Sequence, residues 1–342
     1  MRRKAIEELR NYFFEKVKNY AGRCPVQFNL EDGLFEKIIF DYDDGERKTF
    51  STNDRDILKK IDFTGVSFRD FDCRGFDFRG LNGIVLLPQC VFESSLENAI
   101  LEGVTINGGF DNVNIESANF KGIKGYNRID PQGVADKCLK NCVLDGIEFI
   151  GSFYDTIITS ADFTGSVGAV VNPLVLYDFD ISHCVFTGVK FIGDFHDSLI
   201  IGTDFTGSID AQINPQTLAY KNLAGTKLAD VEFCGSFDGA TITGADFTGS
   251  KGAKIAPQTI ANKDFSNTKL AGVEFYGSFD GADLEDADFT GSKSAVIENP
   301  ETCIINSRTN FTDAIVTDLK LEKKEKDKIK RKISRALKNA NK

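Results

Sequence analysis

Large apolar residues recur along this chain at a step of five. They run Ile255, Ile260, Phe265, Leu270 and Phe275, then take a step of four to Phe279, then continue to Leu284 and Phe289. The preceding stretch repeats the order as Ile213, Leu218, Leu223, Leu228, Phe233, Phe237, Ile242 and Phe247, and the first one reads Leu86, Val91, Leu96, Leu101, Ile106, Phe110, Ile115 and Phe120. Between stretches, as from Phe247 to Ile255, the step widens to eight. A helix keeps one face at a period of 3.6 and a strand at 2, so neither can hold these side chains on a single side. A coil with four sides can: each side takes one pentapeptide and turns one large residue inward.

The string DFTGS begins at Asp162, Asp204, Asp246 and Asp288, 42 residues apart, and Pro88, Pro131, Pro173, Pro215, Pro257 and Pro300 keep a step of 42 or 43. Six repeats are therefore present, and each of the five complete ones has eight inward positions and hence two coils. Phe63, Phe68, Cys73 and Phe78 supply one coil before them and the segment through Phe311 one after, about twelve in all, which at the usual strand separation makes a rod about 60 Å long. Phe153, Phe163, Phe195, Phe205, Phe237, Phe247, Phe279 and Phe289, with Phe110, form the expected core. Val134, Phe153, Leu176, Phe195, Leu218, Phe237, Ile260 and Phe279 are expected in one column that alternates aromatic and aliphatic side chains.

The pattern Ala245-Asp-Phe-Thr-Gly249 and Ala287-Asp-Phe-Thr-Gly291 is a small residue, a polar residue, a large apolar one and two more small or polar ones. In this the chain resembles the pentapeptide-repeat family over residues 61–316. The resemblance implies an all-β solenoid, a right-handed quadrilateral β-helix, and a role in binding other macromolecules. The chain departs from the family at each eight-residue step, where about three extra residues enter every second coil. These are expected as a row of small loops along one edge, and Ser166, Asn172, Ser208, Asn214, Lys251, Lys254, Gln258 and Lys293 are the candidate partner-binding residues on it.

An open end of such a coil exposes core and unpaired backbone, so both ends need covers. Residues 1–60 are expected to form the first, with Ile6, Leu9, Phe13, Val17 and Tyr20 at helical spacing over 3–20 and a hairpin over 26–52 that turns near Asp44-Gly45. Residues 317–342 are expected as a basic helix, with Ile329, Ile333 and Leu337 four apart. Charge is uneven: residues 320–342 carry 11 Lys/Arg against 3 Asp/Glu, whereas 61–319 carry 17 against 36. The basic tail suits a solvated face, with nucleic acid or anionic lipid as possible contacts. With 41% hydrophobic residues and 30 Phe, the chain has ample material for a core.

Catalytic chemistry finds no foothold. The eight Cys show no CxxC spacing, His183 and His196 have no Ser or Cys partner at a suggestive distance in sequence, and Asp41-Tyr-Asp43-Asp44-Gly45 lacks the later ligands of a calcium loop and reads as a hairpin turn. Neither enzyme activity nor a cofactor or metal is expected. No stretch is apolar enough for a signal or a membrane span, so cytoplasmic residence, or export by a route without a signal, is expected. The leading expectation is a non-catalytic protein-binding scaffold. Two alternatives follow from the resemblance: a DNA-mimicking modulator of DNA gyrase, and a secreted bacterial effector. For mimicry, Asp162, Asp204, Asp246 and Asp288 should stack at about 9.6 Å. They are expected to be interleaved with Val143, Val185, Lys227 and Lys269, and so to be neutralised toward the C-terminal end.

Overall fold

The computed structural model of the protein describes residues 27–30, 37–41, 47–51, 59 and 73–316. The helices expected over 3–20 and 317–342, and the core positions Phe63 and Phe68, lie outside the described residues. Strands β1 (Gln27–Leu30), β2 (Lys37–Asp41) and β3 (Arg47–Ser51) form an antiparallel sheet in the order β1-β2-β3, with Asp41 opposite Arg47. From residue 73 onward the fold changes. Strands shrink to two residues, every pairing is parallel, and 3-10 turns of three residues separate them.

The chain divides into two compact units, Met1–Ser152 with Gly165–Val167, and Phe153–Thr164 with Gly168–Lys342. In the first, Val85–Leu86 pairs with Thr105–Ile106, which pairs with Lys124–Gly125, and Arg128–Ile129 pairs with Glu148–Phe149. Single bridges run Asp77, Ile100, Asn119, Val143 in succession. Each partner lies 19 to 24 residues from the last, close to the length of four pentapeptides. Leu86, Leu96, Leu101, Ile106, Ile115 and Phe120 are buried, and Phe110 packs edge-on to Phe120 at 5.5 Å.

The second unit repeats the arrangement more regularly. Val170–Val171 pairs with Lys190–Phe191, Gln212–Ile213 with Glu232–Phe233, Lys254–Ile255 with Glu274–Phe275, and Val296–Ile297 with Ile315–Val316. Along another side the bridges run Asp162, Val185, Asp204, Lys227, Asp246, Lys269, Asp288, Asn310. From Asp162 to Asp288 their offsets alternate between 23 and 19 residues, which together make the repeat of 42. Along this series the pairing residue immediately precedes a large buried one, so a hydrogen-bonding backbone position and a core position arrive together.

Phe153, Phe163, Phe195, Phe205, Phe237, Phe247, Phe279 and Phe289 are all buried, as is Phe110 in the first unit. The four-residue step brings Phe191 to 5.0 Å from Phe195, Phe233 to 5.0 Å from Phe237, and Phe275 to 5.0 Å from Phe279. A third ring, Phe205, Phe247 or Phe289, closes each triangle at 5.5–5.9 Å. Such pairs add about 0.5–1.5 kcal/mol each beyond the area they bury. Leu176, Leu218 and Ile260 are buried between these layers, so wide and narrow side chains interleave.

The DFTGS string builds the same turn at each of its four occurrences. The aspartate Oδ1 of Asp162, Asp204, Asp246 and Asp288 accepts from the backbone N–H two residues on, at 2.9–3.0 Å. The phenylalanine fills the interior, and the glycine, as Gly249 with φ +85°, takes a left-handed conformation that a side chain would strain. The serine hydroxyls of Ser166, Ser208, Ser250 and Ser292 turn inward and are buried without a hydrogen-bond partner.

Candidate interaction surface

In the second unit, a series of parallel bridges sets successive outward residues side by side in a column. This column is an ion-paired ladder. Lys227 Nζ lies 2.8 Å from Asp204 Oδ2, and Lys269 Nζ 2.8 Å from Asp246 Oδ2. Asn310 donates to Asp288 at 2.9 Å. Partial burial pushes the Asp204 and Asp246 carboxyls upward, but the bonds from Lys227 and Thr206, and from Lys269 and Thr248, outweigh it and hold both below the usual carboxylate range. Lys227 is raised in turn by its bond to Asp204. The column therefore carries alternating charge, as the spacing of Asp and Lys predicts, and its aspartates are engaged in turning the chain.

The candidate partner-binding residues at the three-residue insertions are not gathered on projecting loops. Lys251 bridges to Glu232 and Lys254 pairs with Glu274, so the extra residues widen the strand-pairing side itself. Gly252 between them sits over the preceding pass: a Cβ there would come within 2.7 Å of the Phe233 carbonyl oxygen. Lys251, Lys254, Gln258 and Lys293 are exposed, with Lys254 3.9 Å from Glu274. Asn172 and Asn214 are half-buried, and their Oδ1 atoms accept from the N–H groups of Leu174 and Gln216, capping the 3-10 turns that Pro173 and Pro215 begin. Ser166 hides its hydroxyl, and Ser208 is only 7% exposed. Four of the eight candidates are thus exposed, and four have their polar groups turned to the fold.

The buried thiols are equally committed. Cys142 Sγ donates to the Ile115 carbonyl at 3.0 Å and Cys184 Sγ to the Ile158 carbonyl at 2.9 Å, and burial pushes both thiols up to about 12. Thr203 uses its hydroxyl in the same way toward Ile181, at 2.8 Å. Among the described residues no group of three or more His, Cys, Asp or Glu could hold a metal, and no helix is long and apolar enough to cross a membrane.

One outward row escapes the five-residue reading altogether: Tyr154, Tyr177, Phe179, His196 and Tyr220 are exposed on successive passes of the second unit. Aligning the repeats at 42 reveals it, since Phe179 stands where the next two repeats carry Lys221 and Lys263. No protein-family model matches the chain, and no curated protein does either.

Proposed function

We propose that the chain is a non-catalytic, protein-binding scaffold of the pentapeptide-repeat type, wound as a right-handed four-sided β-helix of about twelve coils. The observation that carries this reading is the contrast between inside and outside at equivalent positions. Phe195, Phe237 and Phe279 occupy one buried position in three repeats, while the outward residues beside them run His196, Asp238 and Asp280. An interior that repeats and an exterior that varies is the economy of a display surface, in which a stable frame carries side chains free to fit a partner. Parallel bridges at offsets near twenty residues, and burial at every fifth position, support the four-sided winding.

DNA mimicry asks for a continuous negative face. The Asp204–Lys227 and Asp246–Lys269 pairs interrupt the most regular carboxylate column, which favours the scaffold.

Affinity capture from the native cell tests the proposal, with the full chain as bait against a chain lacking residues 317–342. The expected result is a protein retained by both baits at stoichiometric yield. Substituting Lys251, Lys254 and Gln258 together by Ser then asks whether the widened strand side is the contact. Recovery of no specific protein in repeated captures would remove the scaffold reading.

A further inference from the structure

Four aromatic side chains and a histidine occupy one corner of the second unit. Backbone hydrogen bonds tie the passes that bear them: Tyr177 N–H donates to the Thr156 carbonyl at 3.2 Å, Leu199 N–H to the Phe179 carbonyl at 3.1 Å, and Ala219 N–H to the Ser198 carbonyl at 3.2 Å. Tyr154, Tyr177 with Phe179, His196, and Tyr220 therefore stand on four neighbouring passes, separated by about one strand spacing each. Tyr220 is 87% exposed and Tyr154 61%.

Nothing in the winding asks for them. In the next two repeats the position of Phe179 holds Lys221 and Lys263, whose Nζ atoms donate to the carbonyl oxygens of Asp238 at 3.4 Å and Asp280 at 2.6 Å. The position of Tyr220 holds Asn262. Phe179 (φ +54°) and Tyr220 (φ +52°) also adopt the left-handed conformation that Asn and Gly tolerate and large side chains disfavour. The chain gives up a lysine tether at one of these positions and an asparagine suited to its backbone at the other. In exchange it gains exposed rings that add nothing to the core.

The charge around the rings says what they would meet. Asp155, Asp178, Asp194 and Asp197 are exposed in the same turns. Asp194 accepts from the His196 N–H at 3.1 Å, and Asp197 lies 3.4 Å from His196 Nε2. Between residues 153 and 220 the sequence has eight aspartates and one basic residue apart from histidine, Lys190, which is held 3.5 Å from Asp210. Aromatic faces interleaved with carboxylates repel the phosphates of a nucleic acid and attract a planar cation. A guanidinium can lie on a tyrosine ring and donate to a carboxylate at once. We infer that this corner is a docking site for an arginine-rich segment of a partner protein. The inference rests on the scaffold reading and gives it a location and a chemistry.

The test uses the full chain and a fluorescein-labelled peptide of alternating Arg and Gly, with binding followed by anisotropy at low salt and at physiological salt. The informative variant is Phe179→Lys with Tyr220→Asn, which installs the residues that the next repeat carries and so keeps the fold, as a thermal melt would check. The control is Val185→Lys, which adds one positive charge on the Asp204 column, where Lys227 and Lys269 already stand. The corner variant should lose about tenfold in affinity and the control less than about twofold. An alternating Lys and Gly peptide should bind several-fold more weakly than the Arg peptide to the unmodified chain. Absence of saturable binding, equal losses in the two variants, or tighter binding of an oligothymidine would each overturn the inference. If the corner variant still captures the same cellular protein as the unmodified chain, the corner falls while the scaffold stands; if neither captures any, the scaffold falls.

Discussion

Residues 153–220 and 221–295 have the same interior and opposite surfaces. The first stretch has eight acidic residues and Lys190, and it presents Tyr154, Tyr177, Phe179 and Tyr220; the second has eleven acidic residues and seven lysines, and among these exposed large residues only Tyr276 is aromatic. In the second stretch lysines are stitched into the frame, to Asp204 and Asp246 along one column and to backbone carbonyls at the corner. Val185 and Phe179 stand where such lysines would be. One frame thus supports a surface stitched by lysines and a surface rich in exposed rings and carboxylates, so core geometry and surface chemistry are separable in this protein.

The largest expected difference lies in thiol reactivity. With Cys184 pushed up to about 12, only about 1 in 10^4 of its molecules is thiolate at pH 8, and its sulfur is buried. The exposed Cys234 of the second stretch should be alkylated by iodoacetamide within minutes while Cys184 stays unmodified until the protein unfolds. Peptide mass spectrometry reads both, and early labelling of Cys184 would mean that the first stretch opens on the timescale of alkylation.

Next come the interiors. Phe195→Ala and Phe237→Ala each empty the equivalent corner of two matching aromatic triangles, and each should cost about 3–5 kcal/mol in urea unfolding. The two costs should agree within about 1 kcal/mol; a clear inequality would break the claim of a common interior. The ion pairs should matter less. Lys227→Met with Lys269→Met should cost about 0.2–1 kcal/mol per pair at neutral pH, because the lysines are exposed.

The sign with pH follows from the aspartates. Asp204 and Asp246 are held below their ordinary value of 3.8, so their contribution is present above that value and is lost as pH falls through the depressed one. Removing the lysines should therefore move the onset of acid unfolding to higher pH, which a circular-dichroism titration would follow. Smallest of all is Ser250→Ala. An unpartnered buried hydroxyl contributes nothing to the fold, so its removal should be neutral or stabilise by up to about 1 kcal/mol. A loss beyond 1 kcal/mol would point to a bond to that serine in solution.

The step of five locates every buried phenylalanine in the expected core, because burial depends only on which side of the backbone a residue occupies, and a period reports that directly. Pairing partners are less legible. The three extra residues around Gly252 look like a loop when only spacing is counted. They lie in the pairing side because Lys251 serves the pass before and Lys254 the pass after, a division of hydrogen bonds that spacing does not encode. Asn172 and Asn214 look like free polar groups until the turn begun by the following proline gives them an N–H to accept from. The aromatic corner is silent at a step of five and legible at a step of 42, where Phe179 replaces a lysine. Such a departure is visible only against the period that its neighbours obey.

The alternation of 23 and 19 has a consequence for how such a protein can change length. Removing a single circuit would set a wide pass against a wide pass and move Lys251 off Glu232. Removing 42 residues would leave every remaining pairing intact. The inheritable module is thus a doublet, and natural variants of this chain should be longer or shorter by multiples of 42, gaining or losing surface columns two rungs at a time.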